Sequence, residues 1–211
     1  MSELEFLTDE KAILEAIKHK NSIMFYWEEI EIPDNVNVEI VERKVKVSGP
    51  KGTVEKDFSH VRSVYILREG NKIYVACYAR KNRDRKPLRT ISSKIKRMID
   101  GVLSWYVYKH KVMFAHFPIR VRVEGRNIVI ENFYGRKGKM KVPIYGDQTV
   151  VEITLQPGSD VPDEVIIKGP DLEAVSQTSG ILQESCKLRG KLKKDPRRFQ
   201  DGIWRYEILR E

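Results

Sequence analysis

Between Lys187 and Arg198 the sequence holds seven basic residues and one acid, Asp195, its densest local charge. Arg80 to Arg89 holds six bases and one acid, and Arg136, Lys137, Lys139 and Lys141 make a third, shorter run. Each run carries turn-makers: Pro87, Gly135 with Gly138, and Gly190 with Pro196. Glycine and proline so placed predict loops at sheet edges. Lysine and arginine on loops neutralise phosphate, so the chemistry on offer is binding to a nucleic-acid backbone. Phe133, Tyr134, Phe199, Trp204 and Tyr206 lie close to these bases. An exposed ring stacks on an unpaired base or packs against ribose. The competing reading of each run is a solvated surface. For the rings it is core packing, the favoured reading for Phe199 and Trp204.

Covalent and acid–base chemistry finds no matching constellation. His19, His60, His110 and His116 sit in unrelated contexts. There is no Gly-Lys-Ser/Thr phosphate loop, no Gly-x-Ser-x-Gly elbow and no His-Glu-x-x-His zinc motif. Gly135 to Gly138 is glycine-rich but lacks the Lys-Ser/Thr that nucleoside phosphates require. Cys77 and Cys186 have no Cys or His at zinc-ligand spacing, and two thiols make no disulfide framework. They read as small core residues in a reducing cytosol. An enzyme, a metal site and a cofactor are therefore not expected.

The charge balance agrees. The chain is 211 residues long with a net charge of +9. Residues 1–31 hold eight acids and three bases, a net of −5, so the rest carries +14. A polyanionic partner is expected for that remainder, with nucleic acid ahead of an anionic membrane surface. The N-terminus is acidic without an apolar run, and no stretch has the length of a membrane span. A cytoplasmic protein is expected.

The elements that must position these loops repeat. Thr8 is placed to cap a helix over Asp9 to Lys20, with Ile13, Leu14 and Ile17 on one stripe and Asn21 as its stop. Ile23 to Trp27 reads as a strand. Val36, Val38 and Ile40 alternate with polar residues, a turn falls at Arg43-Lys44, and Val45 and Val47 alternate again. Gly49 to Gly52 turns the chain so that Thr53 to Phe58 pairs back. Val64 to Leu67 and Ile73 to Ala79 form a hairpin around Gly70. Leu88, Ile91, Ile95, Met98 and Val102 then recur at helical spacing. At an offset of 83, Arg43, Val45, Val47 and Gly52 fall on Arg126, Ile128, Ile130 and Gly135. At an offset of 84 the helix stripe falls on Leu172, Val175, Ser179, Leu182 and Cys186. The prediction is an α+β protein of two tandem similar domains, each a small, mainly antiparallel sheet packed with one helix. Its boundaries are an acidic extension at 1–30, a first repeat at 31–115 and a second at 116–211. Ala174, Ser176, Ser179, Gly180 and Ser185 leave the second helix a bare face, open to tight sheet packing or to RNA. Ser176 and Gln177 stand near its N-terminus, where the dipole favours an anion.

Several stretches carry a resemblance. They are Ile32-Pro33 with Val45 to Gly52, Arg89 to Ser93 with Met98, Ile99, Gly101 and Val102, and Ala115 to Ile119. Ile167 to Asp171 with Val175 to Gln177, and Arg197 to Ile203, complete the set. Together they resemble the universal large-subunit ribosomal proteins numbered six in bacteria and nine in eukaryotes, in the archaeal and eukaryotic branch. The resemblance implies two similar α+β domains and a structural, rRNA-binding role in the large subunit. It implies that the second domain docks close to the translation-factor-binding region, among neighbouring ribosomal proteins. Carried over residue by residue, the contacts are Arg136, Lys137, Lys139, Ser176, Gln177 and the tail residues Lys187, Arg189, Lys193, Lys194, Arg197 and Arg198. Gly190 to Lys193 departs from the family pattern as an insertion, and Trp204 stands where tyrosine or phenylalanine is usual. The runner-up is an RNA and protein interaction module outside the ribosome.

Overall fold

The computed structural model describes residues 25–79, 81–188, 193, 195 and 197–211. The helix expected over residues 9–20 lies outside them, as do Arg189 and Lys194. The chain divides into two compact units between Leu103 and Ser104.

The first unit holds β1 (Phe25–Glu31), β2 (Asn37–Val41), β3 (Lys44–Gly49), β4 (Gly52–Asp57), β5 (Val64–Glu69), β6 (Lys72–Tyr78) and α1 (Lys86–Leu103). Strands β1, β6 and β5 form one antiparallel sheet in that order, and β2, β3 and β4 form another. The alternation in sequence decides which side chains turn inward. Val38, Val45, Val47, Val54, Val64, Ile66, Ile73 and Val75 all reach the core. The five apolar positions of the predicted helix, Leu88 to Val102, are all buried there too. Gly49 passes so close to the end of α1 that a Cβ would lie 2.8 Å from Val102 Cγ2. The Lys51 amide beside it donates to the Val102 carbonyl at 3.0 Å. The β3–β4 turn thus closes the C-terminus of α1.

The second unit holds β7 (Tyr106–Met113), β8 (Arg120–Glu124), β9 (Asn127–Glu131), β10 (Met140–Pro143), β11 (Val150–Leu155), β12 (Pro162–Gly169), α2 (Leu172–Ser185) and β13 (Gly202–Arg210). Its sheets run β11-β12-β7-β13 and β10-β9-β8. Taken in order, β7 to β12 and α2 match β1 to β6 and α1, and the sheet orders match as well. The duplication expected from the sequence is therefore a duplication of topology. β13 is an addition, paired to the side of β7 that its counterpart β1 leaves unpaired among the described residues.

The boundary needs correction. The sequence reading ended the first repeat at 115, with Pro118 as the reset. Instead, Tyr106–Met113 is a central strand of the second sheet, bonded to β12 on one side and β13 on the other. Trp105 and Glu211 exchange both backbone bonds, at 2.6 and 3.0 Å, which ties the chain's end to the start of this unit. At the other end, residues 25–30, assigned to a separate extension, are part of β1. Cys77 and Cys186 are buried, as expected, and burial pushes the Cys186 thiol up to about 11.

Candidate nucleic-acid interface

The second unit builds its loop after β9 from unusual backbone. Asn132, Tyr134 and Gly135 have φ of 60°, 53° and 70°. Left-handed backbone is uncommon outside glycine and gathers where function holds it. Asn132 is fixed by donating from Nδ2 to the Pro118 carbonyl at 3.0 Å. The turn sends Phe133 into the core and leaves Arg136 and Lys137 on the surface.

A basic cleft opens there, lined by Arg120, Arg122, Glu131, Asn132, Arg136, Lys137 and Lys139. Glu131 accepts from Lys139 Nζ at 2.8 Å and from Arg122 Nη2 at 2.9 Å. The Lys139 bond, with the charge of Arg122 behind it, holds the Glu131 carboxyl below the usual carboxylate range. Arg136 and Lys137 have no acidic partner among the described residues. Sequence reasoning missed Arg120 and Arg122. They alternate with Val121 on β8, and two bases at successive outward positions, followed by Glu124 at the third, were the available signal.

Arg136 also lines a second cleft, with Phe133, Met140, Ile181, Glu184, Ser185, Lys187 and Leu188. Lys187 and Leu188 in turn line a third, with Met113, Lys193, Arg198, Phe199, Gln200 and Trp204. Shared residues join the three in series. One groove therefore runs from β8 and β9, past the C-terminal end of α2, to the start of β13.

Within this groove the cations are not equivalent. Lys187 is paired with Glu184 at 2.8 Å. Arg197 is bound by Asp195, Nη2 to Oδ2 at 2.8 Å, and Asp195 also accepts from the Arg197 amide at 3.0 Å. Those bonds hold the Asp195 carboxyl low, and they make a tight turn of what read as open basic tail. Arg197 points to solvent rather than into the groove, whereas Arg198 lines it. Phe199 is 57% exposed, contrary to the core packing favoured for it, and Tyr206 is exposed as well. Trp204 is half-buried, its indole N–H donating to the Gln200 carbonyl at 3.1 Å.

Ser176 and Gln177 do not line the groove. They sit on the first turns of α2, where the N-cap Asp171 accepts from the Glu173 amide at 3.0 Å. Asp171 and Glu173 already place acids at that helix end, which disfavours a phosphate there. The Ser176 hydroxyl donates to the Glu173 carbonyl. The first unit's basic run is also committed locally. Its residues 82–85 form a 3-10 turn and 86–89 open α1, rather than a free loop. The Arg85 guanidinium stacks 3.8 Å over the Tyr26 ring, and Arg89 faces Glu28 at 3.9 Å.

No group of three metal-ligating side chains occurs among the described residues, and no helix there is long and apolar enough to cross a membrane. The described residues thus form a duplicated α+β scaffold whose second unit presents a cationic groove. The family model for ribosomal protein L6 matches residues 32–104. Large ribosomal subunit protein uL6 of Staphylothermus marinus is 43% identical over 86% of this chain and 94% of its own length. That of Aeropyrum pernix is 42% identical over 85% and 93%. Protein uL6B of Saccharomyces cerevisiae is 37% identical over 84% and 91%. The chain belongs to the uL6 family of the large ribosomal subunit, and its role there is structural rather than enzymatic.

Proposed function

We propose that the chain docks on large-subunit rRNA through the groove of its second unit, beside the region where translation factors bind, in the cytoplasm. The observation that carries this reading is the joining of three clefts by Arg136, Lys187 and Leu188. Two basic runs that are distant in sequence thereby share one surface. Arg136, Lys137, Lys193 and Arg198 are the foremost contacts, because no acid neutralises them among the described residues. Lys139 and Arg122 add charge through Glu131. Arg189 and Lys194 belong to the same tail and are expected to add to it. Ser176 and Gln177 stand outside the groove, so a contact there would be a separate, secondary one made by hydrogen bonding rather than charge. Binding is mostly phosphate neutralisation with recognition of RNA shape, since the groove offers few groups that read base edges.

The test is the salt dependence of binding to large-subunit rRNA. If about six phosphates are engaged, affinity falls by about three decades between roughly 50 and 200 mM salt. A flat response overturns the reading. Charge reversal at Arg136, Lys137 and Arg198 weakens binding more than reversal at Arg83 and Arg85. Equal losses would assign the RNA to both units.

A further inference from the structure

The first unit has a second apolar surface, on the side of its sheet away from α1. Strands β1, β5 and β6 turn Ile30, Val64, Ile66, Ile73 and Val75 inward. On the opposite face Trp27, Tyr65, Leu67, Tyr74 and Ala76 form a separate apolar cluster. The register explains it: Trp27 and Tyr65 flank Ala76 from the two neighbouring strands, and Leu67 stands opposite Tyr74. Leu67 is only 5% exposed and Ala76 0%, although neither belongs to the main core.

The matching face of the second unit is built differently. There Lys111 pairs with Asp163 at 2.8 Å and Glu164 at 3.4 Å, Lys168 pairs with Glu152, and Lys109 pairs with Glu207 at 2.9 Å. An antiparallel sheet with one wet face shows that polar pattern. The aromatic face of the first unit is the pattern of a sheet covered on both sides. One repeat therefore presents an apolar second face where the other carries ion pairs.

We propose that residues 9–20 cover that apolar face, as a helix that lays Ile13, Leu14 and Ile17 on Trp27, Tyr65, Leu67 and Tyr74. Residues 1–24 precede β1, and β1 enters at the edge of this same sheet. Residues 21–24 can span about 13 Å, enough to reverse the chain over the sheet. A helix of this length measures about 18 Å, close to the roughly 23 Å of a seven-residue strand. Alone in water so short a helix is marginal, and an aromatic patch of this kind left open invites association. Docking removes both difficulties. Glu15 falls on the opposite side of the helix and Lys11 and Lys18 on its flank, so all three stay solvated. The acidity of the segment suits a role inside the protein rather than on RNA.

The experiment is NMR on the full chain with labelled isoleucine and leucine methyls and aromatic rings. Contacts from the Ile13, Leu14 and Ile17 methyls to the Trp27 and Tyr74 rings are expected. In Ile13→Asp/Leu14→Asp those contacts are lost and the Trp27, Tyr65 and Tyr74 ring signals shift. The Ile91 and Ile95 signals of the core stay in place, showing the unit still folded. Unshifted rings with random-coil methyls overturn the proposal. So do contacts seen only between differently labelled copies, which would make a second molecule the cover. Ring shifts that arise only on adding large-subunit rRNA would make RNA the cover, and would overturn it too.

Discussion

Nε2 of His110 lies 2.9 Å from Ser179 Oγ and joins the middle of the second unit's four-stranded sheet to the helix packed on it. Nδ1 faces the Val165 carbonyl at 3.2 Å. A carbonyl only accepts, so Nδ1 carries the proton, and Nε2 accepts from the serine hydroxyl. Both side chains are buried, His110 completely. Burial is the main cause that pushes the imidazole down to about 4, and the charge of Arg205 adds to it.

The consequence is a pH dependence of stability. The unfolded chain takes up a proton at His110 near pH 6.5, whereas the folded chain does so near pH 4. Stability is therefore full above about pH 6.5 and declines as the pH falls toward 4, by about 3 kcal/mol. Urea titrations at stepped pH measure it. Ser179→Ala leaves Nε2 without a donor and costs about 1–3 kcal/mol at neutral pH.

Ser179 also shows what the sequence did and did not make legible. The repeat aligned it with Ile95, a core position, but its place among the small residues of the helix left sheet packing and RNA contact both open, and the structure buries it. The reason for a serine there was not legible, because its partner is 69 residues away and becomes a neighbour only when β7 meets α2. The same limit applies to the domain boundary. Local signals placed Pro118 as a reset, but membership of Tyr106–Met113 in the second sheet is decided by pairing with β12 and β13. Periodicity found α1, the stripe of α2 and most strands, since each is written in spacing. Arg120 and Arg122 escaped notice because a groove is made by distant segments meeting, which no single window of sequence contains.

Gly146 is the tightest glycine among the described residues of the second unit. Its φ is 73°, and a Cβ would lie 2.6 Å from the Ala174 Cβ on α2. Its carbonyl accepts from Arg126 Nη2, so the loop cannot easily swing away. Gly146→Ala combines overpacking with left-handed strain and is expected to cost about 2–4 kcal/mol. Thermal unfolding of the full chain checks this. Gly158→Ala has a similar φ of 72° with open space around it and should lose only the conformational part, about 1–2 kcal/mol.

Because Asp195 already pairs with it, Arg197 is expected to contribute weakly to RNA binding, despite its place in the most basic stretch. Charge reversal at Arg198, which lines the groove without an acidic partner among the described residues, should lower the salt slope by about one. Reversal at Arg197 removes a charge already matched by Asp195 and should lower it less. Asp195→Asn frees Arg197 and should raise affinity for large-subunit rRNA at low salt. Filter binding across a salt series distinguishes these outcomes, and equal slopes for the two arginine variants would contradict the geometry.

Glu131 is the one acid in the basic cleft, and its effect on RNA has a definite sign. It accepts from Lys139 at 2.8 Å and from Arg122 at 2.9 Å, so it fixes the directions of two cations while cancelling part of their charge. A phosphate entering the cleft meets an attraction from Arg120, Arg136 and Lys137 and a repulsion from this carboxylate. Its two partners are exposed, so solvent and salt screen the pairs, and the fold draws little stability from them. Glu131→Gln keeps the size and a hydrogen-bond acceptor but removes the negative charge. Affinity for large-subunit rRNA is expected to rise about threefold to tenfold at low salt, with the gain shrinking as salt is added. Glu131→Lys should raise it further if charge alone governs, or lower it if the orientation of Arg122 and Lys139 matters more. Comparing the two variants at matched salt separates neutralisation from positioning in this cleft.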